Sequence, residues 1–427
     1  MRVLLTSLPV TSHVLNAVPL AWALRTAGHE VRLAVRPDAV PTVRGAGLPA
    51  VPVGGPLRLD RFMEQEAVLA GLGHDISQDP ALLDPEAVLG ILTWYVTVFL
   101  QYATDDETLD DVVALARDWR PDLVIWDALS YAGPVAAAVS GAAHVRLLFG
   151  LDLLARARAH ALDDQRRLPA EARDDVLGEW LEAVLHRYGR SFTESDVFGE
   201  YTLDPIPPAL SLPTARPVIP MRAVPFNGPA RVPDWLARPA PGGRPRVCLT
   251  LGLSLREFWS ENGVSVRDLL DAVAEVDAEV VTTLTDDDLG DGPPLPPNVR
   301  TVDFVPLTEL LPTCAAIVHH GGAGTLHSAV AHGVPQLIVP DAVWDPGLLA
   351  EGVERAGAGI ALPPEKLTPE LLRTELTRLL ADPAFRAGAA GLRSDALSRP
   401  GPQGVVRVLE GIVRAPRPPR PAFRPEP

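Results

Sequence analysis

Residues 315–339 decide the fold, and they read AAIVHHGGAGTLHSAVAHGVPQLIV. The apolar run Ala315–His319 predicts a buried strand, Thr325–Ala331 a helix and Gln336–Val339 a second strand. The Gly-Val-Pro sequence at residues 333–335 ends the helix, as glycine and proline commonly do. The alternation of strand, helix and strand predicts an α/β unit.

The turn before this helix carries two histidines, His319 and His320, and then glycines at positions 321, 322 and 324. Glycine lets the backbone approach a ligand closely, and the unpaired N–H groups of a helix N-terminus attract an anion. The alternative is a tight strand–helix turn with a core histidine. The adjacent histidines favour a phosphate site made by His320, Gly322, Gly324 and Thr325.

The start of the chain repeats the alternation. Val3–Thr6 predicts a strand, Leu8–Asn16 a loop, and a helix is expected to begin near Pro19 before a strand at Val31–Val35. A unit this short predicts parallel strands with a right-handed crossover. Further apolar runs predict strands at Asp122–Trp126, Val145–Phe149, Val247–Leu251, Val280–Leu284 and Val299–Phe304.

Prolines separate the two halves of the chain, because twelve of them fall between Asp204 and Pro245, where no long helix could form. We expect an N-terminal Rossmann-like domain over residues 1–205 and an extended connector over 206–245. A C-terminal Rossmann-like domain is expected over 246–398, and a helix and tail over 399–427. The cleft between the two domains is the default ligand site.

Composition excludes several classes of function. The 427 residues carry a net charge of −16, which argues against nucleic acid or an anionic membrane as the main partner. The single lysine, Lys366, rules out a GxxxxGK[ST] phosphate loop. Cys248 and Cys314 are too few and too far apart for a disulfide framework or a thiolate zinc site, and they fit buried thiols in a reducing compartment.

The apolar start of the chain, Met1–Ala23, is a poor signal peptide because His13 and Asn16 interrupt it and only Arg2 precedes it. No run approaches the ~18 uncharged apolar residues of a membrane span. We therefore expect a cytoplasmic protein.

The first strand–helix loop narrows the chemistry. A dinucleotide fold places G-x-G-x-x-G there, but Leu8–Val18 contains no glycine and instead contains His13. The phosphate site is thus predicted in the second half, with a lone histidine facing it from the first. That arrangement suits group transfer from a nucleotide-activated donor.

Four segments resemble antibiotic glycosyltransferases of the GT-B fold. The resemblance is greatest to actinobacterial enzymes that attach TDP-deoxysugars to macrolide or aromatic polyketides, and it covers nearly the whole chain. It implies two Rossmann-like domains that face each other across a cleft, the first binding the acceptor and the second the nucleotide sugar, with a C-terminal helix crossing back. The segments are Pro19–Val31, Arg120–Asp127, Asn227–Leu236 (with its Asn-Gly-Pro and Pro-Asp-Trp-Leu motifs) and His319–Pro340.

The resemblance implies roles for residues of both halves. His13 matches the general base that takes the proton of the acceptor hydroxyl, and Asp127 is similar to the carboxylate that orients it. The alternatives are a loop histidine without a role and a helix N-cap. Phe304 and the Val305 backbone match contacts to the nucleobase. Gly252 and Ser254 match contacts to the phosphates, and Trp344 and Asp345 match contacts to the donor sugar. Phe304 could equally be a core strand residue.

Two departures from relatives bear on the donor. Pro346 stands where users of fully hydroxylated glucose often carry Gln, and proline offers no hydrogen bond to a sugar hydroxyl. Ser328 stands where ribose-binding relatives carry Glu. Both changes favour a deoxysugar linked to TDP.

The acceptor and the partners are less well defined by the sequence. Trp94 and Phe99, with Tyr95 and Tyr102, are either an acceptor pocket for a flat or macrocyclic polyketide or a helix core. No cofactor or metal is expected, and the acidic run 286–288 fits a solvated loop. The resemblance implies a cytochrome-P450-like auxiliary activator protein as a partner that docks on the N-terminal half. We expect the helical region of residues 57–108 to be its docking surface, and a homodimer is left open.

The predicted reaction is an inverting, metal-independent hexosyl transfer to a hydroxyl group. Two rivals remain at this level. A nucleotide-sugar 2-epimerase would interconvert sugars without an acceptor, and a non-catalytic ligand-binding or activator protein on the same fold would need no base.

Overall fold

The computed structural model describes residues 1–58, 78–169, 172–214, 216, 218–250, 266–284, 294–341 and 344–416. The chain forms two compact units. The N-terminal unit comprises the described residues of Met1–Pro205, Leu212–Arg222 and Pro400–Pro427, and the C-terminal unit those of Ile206–Ser211 and Ala223–Arg399. The segment expected as a connector is therefore shared between the units, and the chain after residue 399 belongs to the first.

A seven-stranded parallel sheet, in the order β3-β2-β1-β4-β5-β6-β7, forms the centre of the N-terminal unit. Every residue of the central strand β4 (Leu-Val-Ile-Trp-Asp) is buried, as expected where helices cover both faces of a parallel sheet. The strands are β1 (Arg2–Thr6), β2 (Glu30–Val35), β3 (Ala50–Pro52), β4 (Leu123–Asp127), β5 (Ala143–Leu147), β6 (Tyr201–Asp204) and β7 (Val218–Pro220).

Helices surround this sheet. They are α1 (Thr11–Thr26), α2 (Val40–Gly45), α3 (Pro85–Trp94), α4 (Asp106–Trp119), α5 (Ala132–Ser140), α6 (Leu153–Gln165), α7 (Val176–Arg187) and α8 (Ser195–Phe198). Helix α3 continues through a π-helical stretch, Tyr95–Leu100, into a last turn at Gln101–Ala103.

A six-stranded parallel sheet, in the order β10-β9-β8-β11-β12-β13, forms the centre of the C-terminal unit. Its strands are β8 (Arg246–Thr250), β9 (Glu279–Thr282), β10 (Val299–Thr301), β11 (Ala316–His319), β12 (Gln336–Ile338) and β13 (Gly359–Ala361). Its helices are α9 (Val266–Ala274), α10 (Leu307–Leu310), α11 (Ala323–His332), α12 (Pro346–Arg355), α13 (Pro369–Ala381) and α14 (Pro383–Leu397). Helix α15 (Pro402–Arg414) follows and packs against α1 of the N-terminal unit.

Both units contain short 3₁₀ turns. In the described residues these lie at Pro37–Ala39, Pro80–Leu82, Pro208–Leu210, Asp234–Ala237, Pro241–Gly243, Leu311–Thr313 and Pro364–Lys366.

Both faces of the second sheet are apolar and covered. Along β8, Val247 and Leu249 join one core cluster while Cys248 joins the other, as the alternation of side chains along a strand requires. Burial raises the pKa of the Cys248 thiol well above its ordinary value, so this cysteine is an inert core residue. Two parallel-sheet α/β units confirm the fold class predicted from the sequence.

Several predicted boundaries are wrong. Helix α1 begins at Thr11 rather than near Pro19, which lies inside the helix, and most of the predicted loop Leu8–Asn16 is helical. Strand β5 ends at Leu147 and β10 at Thr301, so Phe149 and Phe304 follow their strands instead of ending them. These shifts matter because they place His13 on a helix and free both aromatic rings from the sheets.

One helical stretch in the described part of the chain, Pro85–Ala103, is long and apolar enough to cross a membrane, with 19 residues and a mean hydropathy of 1.3. No such stretch was predicted from the sequence. Buried core helices pass the same test of length and composition, and α3 packs against α6 within the N-terminal unit.

Candidate active site

His13 and Asp127 meet at the carboxyl edge of the first sheet. Strands β1 and β4 are parallel neighbours, so α1, which follows β1, begins beside the end of β4. His13 lies in the first turn of α1 and Asp127 is the last residue of β4. His13 Nδ1–H donates to Asp127 Oδ2 at 2.8 Å. The predicted pair therefore forms, although its residues are 114 positions apart.

The second carboxylate oxygen of Asp127 is also engaged, because its Oδ1 accepts the backbone N–H of Leu129 at 2.9 Å. Both side chains are nearly buried, with 11% of His13 and 4% of Asp127 exposed. Because a carboxylate only accepts hydrogen bonds, it selects the tautomer with the proton on Nδ1. The lone pair of the imidazole is then on Nε2, which is the arrangement that a general base requires.

An aromatic ring that was not predicted as a site residue, that of Phe149, packs on His13. The ring centroids of Phe149 and His13 are 4.2 Å apart and their planes are tilted by 44°. The preceding residue is tied to α1, because Asn16 Nδ2 donates to the carbonyl oxygen of Leu148 at 3.0 Å. The available signal was position, since Phe149 ends the predicted strand Val145–Phe149, at the edge where ligands of parallel α/β sheets bind.

In the C-terminal unit, His319 is a structural residue. Gly321 N–H donates to its Nδ1 at 3.1 Å, so its Nε2–H donates to Gln336 Oε1 at 3.0 Å. Burial lowers the pKa of His319 to about 3, which keeps the ring neutral. His319 therefore ties the end of β11 to β12 and to the glycine turn.

His320 has a different environment. Its Nδ1 is buried and has no hydrogen-bond partner among the described residues. Its Nε2 lies against Gly322, where an added Cβ would come within 2.5 Å. Burial lowers the pKa of His320 to about 4, so the imidazole is neutral at physiological pH. A neutral imidazole has one N–H to donate, and toward a phosphate it would act as a dipole rather than as a charge.

The glycines next to His320 serve different purposes. Gly321 has a φ of +94°, and a Cβ there would come within 2.8 Å of Pro346. Gly322 is the N-cap of α11 and has no side chain to bond the free N–H groups. Gly324 would place a Cβ in open space, with nothing within 4 Å. Among the described residues, no backbone acceptor takes the N–H groups of Ala323 and Gly324.

The next residues of α11 complete this turn. Thr325 is buried in the first turn of the helix. The hydroxyl of Ser328 donates to the carbonyl oxygen of Gly324 at 2.8 Å, and the residue is fully buried. Ser328 therefore directs its only polar group to its own helix.

The predicted nucleobase residues lie between β10 and α10. Phe304 is 41% exposed, which excludes the core-strand alternative, while Val305 is buried. Helix α10, which begins two residues after Val305, packs against α11. Asn227, from the Asn-Gly-Pro segment, accepts the backbone N–H of Thr308 on its Oδ1 at 3.0 Å and so fixes this turn.

The predicted sugar-contacting residues lie beside the glycine turn. Trp344 and Asp345 are buried and immediately precede α12, whose first residue, Pro346, is the one that packs on Gly321. Trp344 has a φ of +69°, a conformation that is uncommon for a bulky residue. Backbone strain of this kind concentrates at functional sites.

The predicted acceptor residues form a chain of rings on α3 and its π-helical continuation. Trp94 and Tyr95 contact edge to face at 5.0 Å between centroids, and Tyr95 and Phe99 at 6.1 Å. All three are half-buried. The hydroxyl of Tyr102 donates to the carbonyl oxygens of Leu57 and Arg58.

A cavity of about 480 Å³ lies in the C-terminal unit but at the opposite edge of its sheet. Its walls include Arg246, the first residue of β8, and Ala315, which immediately precedes β11, whereas the glycine turn follows the end of β11. Ligands of parallel sheets bind at the carboxyl ends of the strands, so this cavity is not assigned to the reaction.

Gly252, Ser254 and the acidic run 286–288 lie outside the described residues. Among the residues that are described, no group of three or more His, Cys, Asp or Glu side chains could hold a metal ion.

Comparisons with known proteins cover both units. The models of the erythromycin biosynthesis protein CIII-like N-terminal and C-terminal domains match residues 22–252 and 267–412. Aclacinomycin-T 2-deoxy-L-fucose transferase of Streptomyces galilaeus is 47% identical over 97% of this chain and 96% of its own length. The 3-alpha-mycarosylerythronolide B desosaminyl transferase of Saccharopolyspora erythraea is 46% identical over 98% of this chain and 100% of its own. The crystal structure of glycosyltransferase VinC in complex with dTDP, 45% identical, matches with a TM-score of 0.87 over 97% of this chain and 99% of that chain.

Proposed function

The chain belongs to the erythromycin biosynthesis protein CIII-like family of glycosyltransferases, and on that premise we propose that it moves a deoxysugar from a TDP-sugar to a hydroxyl group of a polyketide-type natural product. Membership of this family and the enzyme class are as the sequence predicted. The observation that carries the proposed chemistry is the 2.8 Å bond between His13 and Asp127, because it leaves Nε2 to accept a proton.

The class of donor is supported by the relatives and by two residues of this chain. The relatives are named for transferring 2-deoxy-L-fucose and desosamine, and the VinC structure holds dTDP. Ser328 bonds its own helix and presents no group to a ribose hydroxyl. The side chain of Pro346 has no group that could form a hydrogen bond to a sugar hydroxyl. These features favour TDP and a sugar that lacks hydroxyl groups.

The proposed reaction is a single displacement. His13 Nε2 takes the proton of the acceptor hydroxyl while the acceptor oxygen forms a bond to the anomeric carbon. The bond from that carbon to the β-phosphate oxygen breaks, and its electron pair leaves with TDP. Attack opposite the leaving group inverts the configuration at the anomeric carbon. The charge of Asp127 stabilises the imidazolium that forms.

We propose that the departing diphosphate binds at the N-terminus of α11. The free N–H groups of Ala323 and Gly324 and the dipole of a ten-residue helix favour negative charge there. His320 adds a neutral donor, and its unpaired buried nitrogen gains a partner. Thr325 adds a hydroxyl. Preorganised donors of this kind stabilise charge as it develops on a leaving group.

The remaining proposed contacts to the donor lie in the C-terminal unit, and those to the acceptor lie in the N-terminal unit. Phe304 stacks on the thymine with the Val305 backbone at its edge, while Trp344 and Asp345 contact the sugar. Ser254, outside the described residues, is proposed for a phosphate. Trp94 and Phe99 line the acceptor pocket, where their half-buried rings offer flat apolar surface to a polyketide.

Product analysis tests this function. The purified chain is incubated with a panel of TDP-sugars and polyketide aglycones, and products are identified by mass spectrometry. Anomeric coupling constants then give the stereochemistry, for which we expect inversion. Incubation with donor alone separates the rivals, since an epimerase would interconvert the sugars without acceptor. Binding of TDP without any product would indicate a non-catalytic protein.

Substitution of the base tests the mechanism. His13→Ala should lower kcat by about 100- to 10,000-fold while the TDP affinity, measured by isothermal titration, stays the same. His186→Ala, on the surface of α7, is the matched control and should keep full activity. An unchanged kcat for His13→Ala would reject the base assignment.

The proposal includes metal independence, because helix N–H groups take the place of a cation at the diphosphate. Excess EDTA should leave the initial rate unchanged, and restoration of a lost rate by Mg²⁺ would contradict this.

Dependence on an auxiliary activator protein, implied by the resemblance, is tested by the turnover of the chain alone. Light scattering of the same sample gives its oligomeric state.

A further inference from the structure

We propose that Phe149 is a positioning residue for the general base, holding the imidazole of His13 in the one orientation that serves catalysis. The inference rests on the proposed function, because it needs His13 to be the base. No sequence motif marked Phe149, and its contacts with His13 and α1 lie within the N-terminal unit.

The position of Phe149 follows from the sheet. Strand β5 is the parallel neighbour of β4, and Leu147 pairs with Asp127 at the carboxyl edge. The chain leaving β5 thus starts beside the carboxylate that bonds His13. Phe149 comes two residues later, and its ring reaches the imidazole at 4.2 Å between centroids.

Asn16 fixes the segment that follows β5 and carries Phe149. It lies three residues after His13 on α1, so the two side chains share a face of the helix. Its Nδ2 donates to the carbonyl oxygen of Leu148 at 3.0 Å. The segment that carries Phe149 is therefore tied to the same helix that carries the base.

The ring of Phe149 restrains a rotation of the His13 imidazole that the hydrogen bond to Asp127 alone would allow. A single hydrogen bond at Nδ1 fixes one end of the imidazole but still allows the ring to swing about that bond. Contact with the tilted ring of Phe149 limits this swing and keeps Nε2 in one direction. Misplacement of a catalytic group by about 1 Å can lower the rate about 100-fold. The aromatic face also favours the imidazolium formed during turnover.

The test compares Phe149→Leu, which removes the ring but keeps an apolar side chain, with Phe149→Tyr, which keeps the ring. We expect Phe149→Leu to lower kcat by about 10- to 100-fold with little change in the acceptor KM, and Phe149→Tyr to restore most of the loss. In the nuclear magnetic resonance spectrum, the imidazole signals of His13 should lose their ring-current shift only in the leucine variant.

A double-mutant cycle separates positioning from a merely structural role. In a His13→Ala background the Phe149→Leu change should alter kcat by less than about twofold, because no imidazole remains to be positioned. An equal loss in both backgrounds, or full activity of Phe149→Leu with intact His13, would overturn the inference. If His13→Ala alone kept full activity, the assignment of His13 as the base in the proposed function would fail instead, and the two failures are distinguishable.

A second variant covers the case in which Phe149→Leu folds poorly. Asn16→Ala leaves both rings intact and releases only the carbonyl of Leu148. It should lower kcat in the same manner, again only when His13 is present. Wild-type activity of this variant together with a wild-type imidazole spectrum would contradict the proposed tether.

Discussion

The two oxygens of Asp127 make different hydrogen bonds, and this difference gives a sharp expectation for Asp127→Asn. Oδ1 accepts the N–H of Leu129, while Oδ2 accepts Nδ1–H of His13. An asparagine has one oxygen for these two donors. If its oxygen stays on Leu129, its NH₂ group faces His13 and selects the wrong tautomer, with the proton on Nε2.

Asp127→Asn should therefore lower kcat by about 1,000- to 10,000-fold, the scale of a base held in the wrong tautomer. The TDP affinity, which we propose to reside in the C-terminal unit, should not change. Steady-state kinetics and titration calorimetry measure the two quantities. Near-normal kcat in this variant would mean that the carboxylate neither selects the tautomer nor stabilises the imidazolium.

A substitution at Gly324 should weaken ligand binding without destabilising the fold. Nothing in the described structure lies within 4 Å of a Cβ at this position, so Gly324→Ala creates no clash in the free protein. Alanine also favours a helix over glycine by about 1 kcal/mol. The variant should melt at the same or a higher temperature, yet bind TDP at least about tenfold more weakly, because the methyl group obstructs the approach of the diphosphate.

Gly391→Ala is the matched control for this prediction. Gly391 lies in α14 and also has open space at its Cβ position. It should gain the same helix stability without any change in TDP affinity. Wild-type affinity of Gly324→Ala would place the diphosphate elsewhere.

Among the elements, the strand–turn–helix around β11 and α11 was predictable because its signals are local. Apolar residues, glycines and the closing Gly-Val-Pro all lie within residues 315–339. Helix α1 was placed wrongly because proline prefers the first turn of a helix. Here burial of Val14, Leu15 and Val18 outweighs that preference, and Pro19 is accommodated inside the helix.

Candidate site residues could be named from the sequence, but their contacts could not. His13 could be selected from its position after the first strand and from its chemistry, and Asp127 from the resemblance to a known family. Phe149 could not, because its contact depends on where β5 ends, and strand boundaries shift by two residues without a change in pattern. The free N–H groups of α11 likewise required coordinates.

Helix α15 is the element whose removal tests the stability of the N-terminal unit. It buries Val405, Val406, Leu409 and Ile412. His29 Nε2 contacts Glu410 at 3.1 Å and Thr26 the side chain of Gln403 at 3.3 Å. Burial of four aliphatic side chains corresponds to roughly 6–12 kcal/mol as an upper bound.

A chain that ends at residue 399 should therefore show a separate unfolding transition of its N-terminal unit at a much lower temperature, while TDP binding by the C-terminal unit persists. Scanning calorimetry with and without TDP measures both. A chain that ends at residue 416 retains α15 and is the control. Equal melting temperatures of the two chains would show that α15 adds little to this unit.

At the scale of the whole molecule, the two units carry different titratable groups. In the N-terminal unit the hydrogen bond from Arg158 lowers the pKa of Glu194 below its ordinary 4.5. The stability from that carboxylate is present above pH ~4.5 and is lost as the pH falls below it. In the C-terminal unit burial lowers the pKa of His319 to about 3, and of His320 and His327 to about 4. The units therefore respond to acid in different pH ranges.

The C-terminal unit should lose stability first. Its histidines are neutral when folded but take up protons near pH 6.5 when unfolded, so the unfolded state binds more protons between pH 6.5 and about 4. Stability is full above pH 6.5 and falls as the pH drops through this range. Each histidine contributes a slope of up to about 1.4 kcal/mol per pH unit. Calorimetry between pH 7.5 and 5 should show the transition that TDP stabilises moving to lower temperature.

His327→Leu isolates one of these histidines, because Nε2 of His327 is buried and has no hydrogen-bond partner among the described residues. The variant should be at least as stable as the wild type at pH 7.5, since it removes an unpaired polar atom. The pH dependence of its unfolding free energy should be shallower by up to one proton. His186→Leu, on the surface of α7, should leave the slope of the C-terminal transition unchanged. A slope in His327→Leu equal to that of the wild type would mean that this ring does not stay neutral because of its burial.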